Sequence, residues 1–578
     1  MRSLTRSAAL IVGLGFGTGA GGQEAAMGAA DPAAEAAALI AAYTAQFRPL
    51  YIESTAAWWE ANLTGSDDAV ARKTAADRKL VDLHSDRAAF ARLKELRGGD
   101  AIRDPVLRRQ IDVMYRAYLE NQADPALLKR IKALENEVEQ TFNTFRSRVG
   151  EKTLTENEVR AILANSTDTA AVKAAWKAYM EVGAAADAKL RELVRMRNEV
   201  ARGLGFRDFY AFNLALQEID EAELVKLFDE LDKLTREPFA HLKTDMDRSR
   251  AERFKIDMQD LRPWHFGDLF FQEAPSAGGE VNLDELYRGA DLAAVGKTYY
   301  AGIGLPVEDI LARSDLYEKA GKCPHAFCEH MDRAEDVRIL VNLKPNLYWA
   351  DTILHELGHG VYDKYIGPEV PFVLRKASHA ITTEGIAELF GALSKNEEFL
   401  REVVQVPPAE AERAGRAARE ALRTGRLMFA RWAQVMVRFE RGMYGNPEQD
   451  LAKLWWDLKR EYQLLNPPDR LDKPDYAAKV HVLTTPVYYH SYLMGELFAA
   501  QVRHKLAHDV LKLDGAAAAA TSFAGRPEAG AWLKAHVFAP GNLYPWPELT
   551  RRATGEALTP KYFVAEIGRE QTSDRAKK

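Results

Sequence analysis

The sequence predicts a mostly α-helical fold with one small β element. Three observations carry this: apolar residues recur every three or four positions through most of the chain, strand-like runs are scarce, and long stretches, one of them opening on Asp-Pro, have strong helix propensity. At 578 residues, 47% hydrophobic and 28% charged, the chain is long enough for one large core or several domains. A net charge of −6 gives no general attraction to nucleic acid or to an anionic membrane, so neither is expected as a partner. Two cysteines cannot build a disulfide framework.

From the N-terminus, residues 1–6 carry two arginines and no acid, and residues 8–20 are apolar and small. This is the pattern of a secretory signal peptide over residues 1–25, cleaved between about residues 20 and 30. The run is short of the ~20 residues a span needs, and no later segment is long enough, so the mature chain is expected to be exported, periplasmic or secreted, with no membrane span. Residues 124–149 open on Asp-Pro and keep a helical period, as do 223–254 and 408–444. The best strand is VRILVNL (337–343), stopped by Lys344-Pro345. Helices at 349–362 and 382–393 follow it. Loops fall at 272–282 and 463–475, rich in Pro, Gly, Asn and Asp. The alanine run at 514–522 is either helical or a surface insertion, and 571–578 reads as a disordered tail. The tryptophan pairs Trp58-Trp59 and Trp455-Trp456 read as packing.

The segment ILHELGHGVYDKY (353–365) carries the chemistry. On a helix, Thr352, His355, His359 and Tyr362 share one face, and two imidazoles at i and i+4 can hold one zinc ion from one side. Glu356 lies beside them, where a general base for a metal-activated water belongs. The bland alternative is two histidines on a buried helix. A catalytic zinc needs a third protein ligand and an open fourth position. TTEGIAELFGAL (382–393) offers two acids one turn apart. Glu384 is assigned as the ligand and Glu388 as the group that orients a ligand histidine. The pattern H-E-x-x-H-x-x-G-x-x-H fails, because Tyr362 and Tyr365 occupy its last two fixed positions. His379 and Asp363 are weaker rivals for the third place. One Zn²⁺ per chain is expected.

These residues resemble the angiotensin-converting-enzyme family of zinc peptidyl-dipeptidases, bacterial members included. The helix pair alone is also similar to the related thimet-oligopeptidase family, which has the same spacing. Three further segments favour the first: GDLFFQ (267–272), CPHAFCEHMDRAEDVRI (323–339) and KVHVLTTPVYYHSYL (479–493). The Gly-rich segment that the thimet family uses for its catalytic Tyr is missing. The resemblance implies that Gln272, Lys479 and Tyr489 hold the substrate's C-terminal carboxylate, that His481 and Tyr492 stabilise the developing oxyanion, and that His325 and Ala326 contact the substrate backbone. It implies a two-lobed helical ellipsoid formed by residues 30–570 as a single peptidase domain, with zinc midway along a deep central channel and the β element beside the zinc helix. The implied activity is release of C-terminal dipeptides from short peptides with a free C-terminus.

The chain departs from the family pattern in two places. Ser491 stands where the family has a chloride-linked arginine, so chloride activation is not expected. The family's disulfide before the zinc helix is absent, and Cys323 and Cys328 either pair locally or stay as thiols. Three rival activities remain: an oligoendopeptidase of the thimet type, a carboxypeptidase releasing single residues, and a catalytically silent peptide-binding relative.

Overall fold

Aspartates start many of the helices, and often a proline follows. Asp31, Asp104 and Asp124 each accept backbone N–H groups at the N-terminus of a helix whose first residue is proline, at Pro32–Thr64, Pro105–Leu119 and Pro125–Thr144. The side chain satisfies donors that the helix leaves unpaired, and proline brings a helical φ without wasting a donor. The computed structural model describes residues 31–273 and 282–568, and among these it has 22 α-helices and two antiparallel two-stranded sheets. The expected signal peptide with its cleavage site, and the tail at 571–578, lie outside the described residues, as does most of the loop at 272–282.

The mostly α-helical expectation holds. The predicted helix at 223–254 is Glu221–Phe254, and that at 408–444 is Pro408–Gly445. The helix predicted over 124–149 stops at Thr144, and its last three residues form a strand, Ser147–Val149, paired with Lys152–Leu154. Gly150 turns between these strands with φ of 62°, a conformation that glycine adopts without cost. The alanine run is helical over Gly515–Ala520. Most of the buried faces merge into a main apolar core that runs from Ala36 to Ile567, with Trp176, Trp432, Trp455 and Trp456 enclosed in it, and smaller clusters form around Phe327 and Phe212. No helix among the described residues is long and apolar enough to cross a membrane.

Four elements position the site. The expected strand is shorter than read, Val337–Leu340, and pairs with Phe327–His330 in the register Phe327↔Leu340, His330↔Val337. Next comes the histidine helix, Leu347–Lys364, capped by Asn346, whose side chain accepts the Trp349 N–H at 3.0 Å. The acidic helix, Ala380–Gly391, and the tyrosine helix, Tyr489–His504, complete the set. Glycines let these three helices approach closely. A Cβ on Gly358 would lie 2.9 Å from Ala387 Cα, and one on Gly385 would lie 2.8 Å from Gly495 O and from the Phe498 ring. Any larger residue at either position would push the backbones apart.

Candidate metal centre

His355 and His359 project from one face of the histidine helix toward Glu384 on the acidic helix. The Nε2 atoms of the two histidines are 3.2 Å apart, and Glu384 Oε2 is 3.7 Å from His355 Nε2 and 3.9 Å from His359 Nε2. A tetrahedral ion with bonds of ~2.0–2.2 Å spaces its donors by about 3.3–3.6 Å. The three atoms therefore fit one zinc ion with little movement. All three residues are buried, and they form a donor cluster among the described residues compact enough for a metal. Burial pushes the His359 imidazole down to about 4, so at neutral pH it is the neutral ligand a metal requires.

The surroundings orient these donors. His359 Nδ1 is 2.7 Å from Thr383 Oγ1, so its proton sits on Nδ1 and leaves Nε2 as the ligand atom when the hydroxyl accepts. Glu388 Oε1 lies 3.8 Å from His355 Nδ1, on the side expected of an orienting carboxylate. Glu356 follows His355 directly and is 5% exposed. Its charge reaches the Tyr300 hydroxyl, which donates to Leu354 O at 2.6 Å and braces the helix. Neither rival ligand belongs to the donor cluster. His379 Nδ1 accepts the Ile381 N–H at 3.0 Å and caps the acidic helix. Asp363 lies 3.9 Å from His330 Nδ1 behind the histidine helix, and burial together with the Glu329 charge raises its carboxyl to about 7.

A second cluster stands beside the first. Lys479 is 6% exposed and donates to Gln272 Oε1 at 2.6 Å. Its ammonium lies 5.2 Å from the Phe270 ring, 5.5 Å from Trp432 and 5.6 Å from Tyr489. Burial lowers Lys479 to about 8, against the upward pull of Asp268. A cation, an amide and a phenol set among aromatic rings can hold a carboxylate. From Tyr489 the rings continue toward the metal donors. His481 is 5.3 Å from Tyr489, and Tyr489 is 5.5 Å from Tyr492. Tyr492 stands one turn before Gly495, where an added Cβ would lie 3.5 Å from Glu384 Cβ, and burial and then the Glu384 charge raise its phenol. His481 is held neutral: burial, then the Lys479 charge, pushes it down to about 3. Its Nδ1 is buried with no hydrogen-bond partner among the described residues.

His325 is exposed on the turn before strand Phe327–His330, and Ala326 is partly buried beside it. That strand runs behind the histidine helix, where a Cβ on Gly360 would lie 3.9 Å from Cys328 Sγ. Cys323 and Cys328 are both free thiols, which answers the pairing question. Sequence reading missed three supports. Thr383 immediately precedes Glu384, and its neighbour's role was the available signal. Lys459 donates to Phe270 O at 2.8 Å and Gln463 donates to Phe271 O at 2.7 Å, fixing the turn that presents Gln272. Nothing local in the sequence marks that pair.

A family model described as angiotensin-converting enzyme matches residues 30–272 and 287–562. The thimet alternative receives no support from it. No curated protein matches the chain.

Proposed function

The chain belongs to the angiotensin-converting-enzyme family of zinc-dependent metallopeptidases, and on that premise we propose that it is a peptidyl-dipeptidase that removes C-terminal dipeptides from short peptides. The observation that carries the finer reading is the continuity between the two clusters. The Lys479–Gln272 pair leads through the rings of Tyr489 and Tyr492 along the tyrosine helix, which packs on Glu384 at Gly495.

His355, His359 and Glu384 would hold a zinc ion, which would supply Lewis acidity for the activation of water. Glu356 takes the water's proton and later delivers it to the leaving amine. Lys479, Gln272 and Tyr489 bind the terminal carboxylate and so fix which bond reaches Glu356. Tyr492 donates its phenolic hydrogen to the oxyanion, and neutral His481 donates from its single N–H. One such donor is typically worth ~3–4 kcal/mol in the transition state. His325 and Ala326 are assigned to contact the substrate backbone. Residues 30–570 form one peptidase domain, a reading supported by the continuous core.

The test is mass analysis of products from a peptide with a free C-terminus and from its C-terminally amidated twin, each with and without a chelator. A released dipeptide, lost on amidation and on chelation, is the expected result. Internal cleavage that ignores amidation would replace this reading with an endopeptidase, and release of single residues would replace it with a carboxypeptidase.

A further inference from the structure

His481 and Tyr492 lie on either side of a turn whose backbone is held in an uncommon conformation. His481 is on the short helix Val480–Thr484, and Tyr492 is in the first turn of the tyrosine helix. Between them Val487 has φ of 56°. A β-branched side chain rarely adopts the left-handed region, and such a residue persists only where its surroundings over-determine it.

The surroundings do so here. Glu440, 2% exposed on helix Pro408–Gly445, accepts the Val487 N–H at 2.8 Å. Gln217 donates to Val487 O at 3.1 Å, so both polar groups of this peptide unit are held. The second N–H of Gln217 goes to Asn213 Oδ1, and its oxygen faces His490 Nε2 at 3.0 Å and Ser491 Oγ at 3.4 Å. Every hydrogen-bonding position of the amide is thus used, and this fixes its orientation. On the other flank, Arg197, 3% exposed, donates to Leu483 O at 2.7 Å and is itself tied to Glu135 at 2.8 Å. The footing of Gln217 is rigid as well. The next residue, Glu218, has φ of 55° and is gripped by Arg109 at 2.5 and 2.9 Å and by Arg116 at 2.8 Å.

We propose that Gln217, Glu440 and Arg197 are positioning residues that clamp the Val487 turn and so set the separation and aim of His481 and Tyr492. The inference rests on the proposed role of those two donors. Gln217 touches neither donor directly. It holds Val487, two residues before Tyr489, together with His490 and Ser491, the two residues between Tyr489 and Tyr492.

The experiment is steady-state kinetics on a free-C-terminus peptide for Gln217→Leu, Tyr492→Phe and the double variant, with zinc content and thermal midpoint measured on each. Gln217→Leu should lower kcat about tenfold to a hundredfold, the scale of a misplacement near 1 Å, with zinc content unchanged. In the Tyr492→Phe background the same substitution should cost several-fold less, because the group it positions is already gone. An equal loss in both backgrounds, or no loss in the parent, overturns the clamp. A parent-level kcat for Tyr492→Phe would instead refute the role of the tyrosine itself, so the two failures are distinguishable. If Gln217→Leu does not fold, Gln217→Glu serves in its place. It keeps an acceptor for His490 and Ser491, removes the donor to Val487, and should show the same dependence on background.

Discussion

Replacing Gly358 with alanine tests whether close helix packing creates the metal site. The new Cβ would lie 2.9 Å from Ala387 Cα and 3.2 Å from the Phe390 ring. Carbon atoms rest at ~3.5–4.0 Å, so the histidine and acidic helices must part by about 0.6 Å or more. His355 and His359 move with one helix and Glu384 with the other. The two His–Glu edges, 3.7 and 3.9 Å now, would open by a similar amount, beyond what one ion can bridge with ~2.0–2.2 Å bonds. Zinc affinity should fall ~10- to 100-fold, the range seen when the supports of metal ligands are disturbed. That is about 1.4–2.8 kcal/mol. Competition against a chromophoric chelator measures it. Gly425→Ala is the control: nothing lies within 4 Å of its Cβ, in the middle of helix Pro408–Gly445. It should leave zinc affinity unchanged and add ~0.5–1 kcal/mol of stability. A folded Gly358→Ala protein that binds zinc as tightly as the parent would refute the argument.

Three further outcomes are expected. Glu356→Gln should keep zinc and peptide binding yet lose turnover by ~10²–10⁴-fold, read by zinc content, calorimetry and kinetics together; parent-level turnover would remove Glu356 from the mechanism. Lys479 is charged below its value of about 8, so kcat/KM for a free-acid peptide should fall as pH rises through 8. Lys479→Met should abolish the limb; a limb that survives in Lys479→Met assigns it to another group. Chelation should lower the thermal midpoint, because an ion present at about 1,000 times its Kd stabilises the native state by ~4 kcal/mol; a midpoint insensitive to chelator and to added zinc would mean that the three donors hold no ion.

The candidate metal half of the site was legible because helix geometry alone brings its donors to one face. His355 and His359 are one turn apart and so share a face wherever the helix packs, and Glu384 and Glu388 repeat that logic on the next helix. Thr383 was not legible, because its contact with His359 depends on how two helices cross. The rivals His379 and Asp363 were plausible on spacing alone. Only the structure shows the first spent on a helix cap and the second turned toward His330. The helix predicted to Val149 failed at its end because periodicity carries no signal for a tight turn at Gly150. Gln217 acts on Val487 across 270 positions of chain, a separation at which no local pattern helps.

The proposed substrate side is specified differently, and the backbone shows how. Three non-glycine residues with positive φ adjoin its working groups: Phe271 at 57° before Gln272, Val487 at 56° before the tyrosines, and Glu218 at 55° after Gln217. Each costs ~1–3 kcal/mol that regular structure would not. Each is restrained by buried polar groups from other elements, Gln463 on Phe271 O, Glu440 on the Val487 N–H and Arg109 on the Glu218 carboxylate. The two helices that carry the candidate metal donors hold no such residue among those described. A metal site tolerates regular helices, because the i, i+4 period already matches the spacing an ion demands. A pocket that must reach a carboxylate and an oxyanion at once has no matching period, so its side chains are aimed by strained turns held from afar. The substrate side should therefore be the more sensitive half to substitutions far from it in sequence, and the metal side the more sensitive to those that alter helix packing.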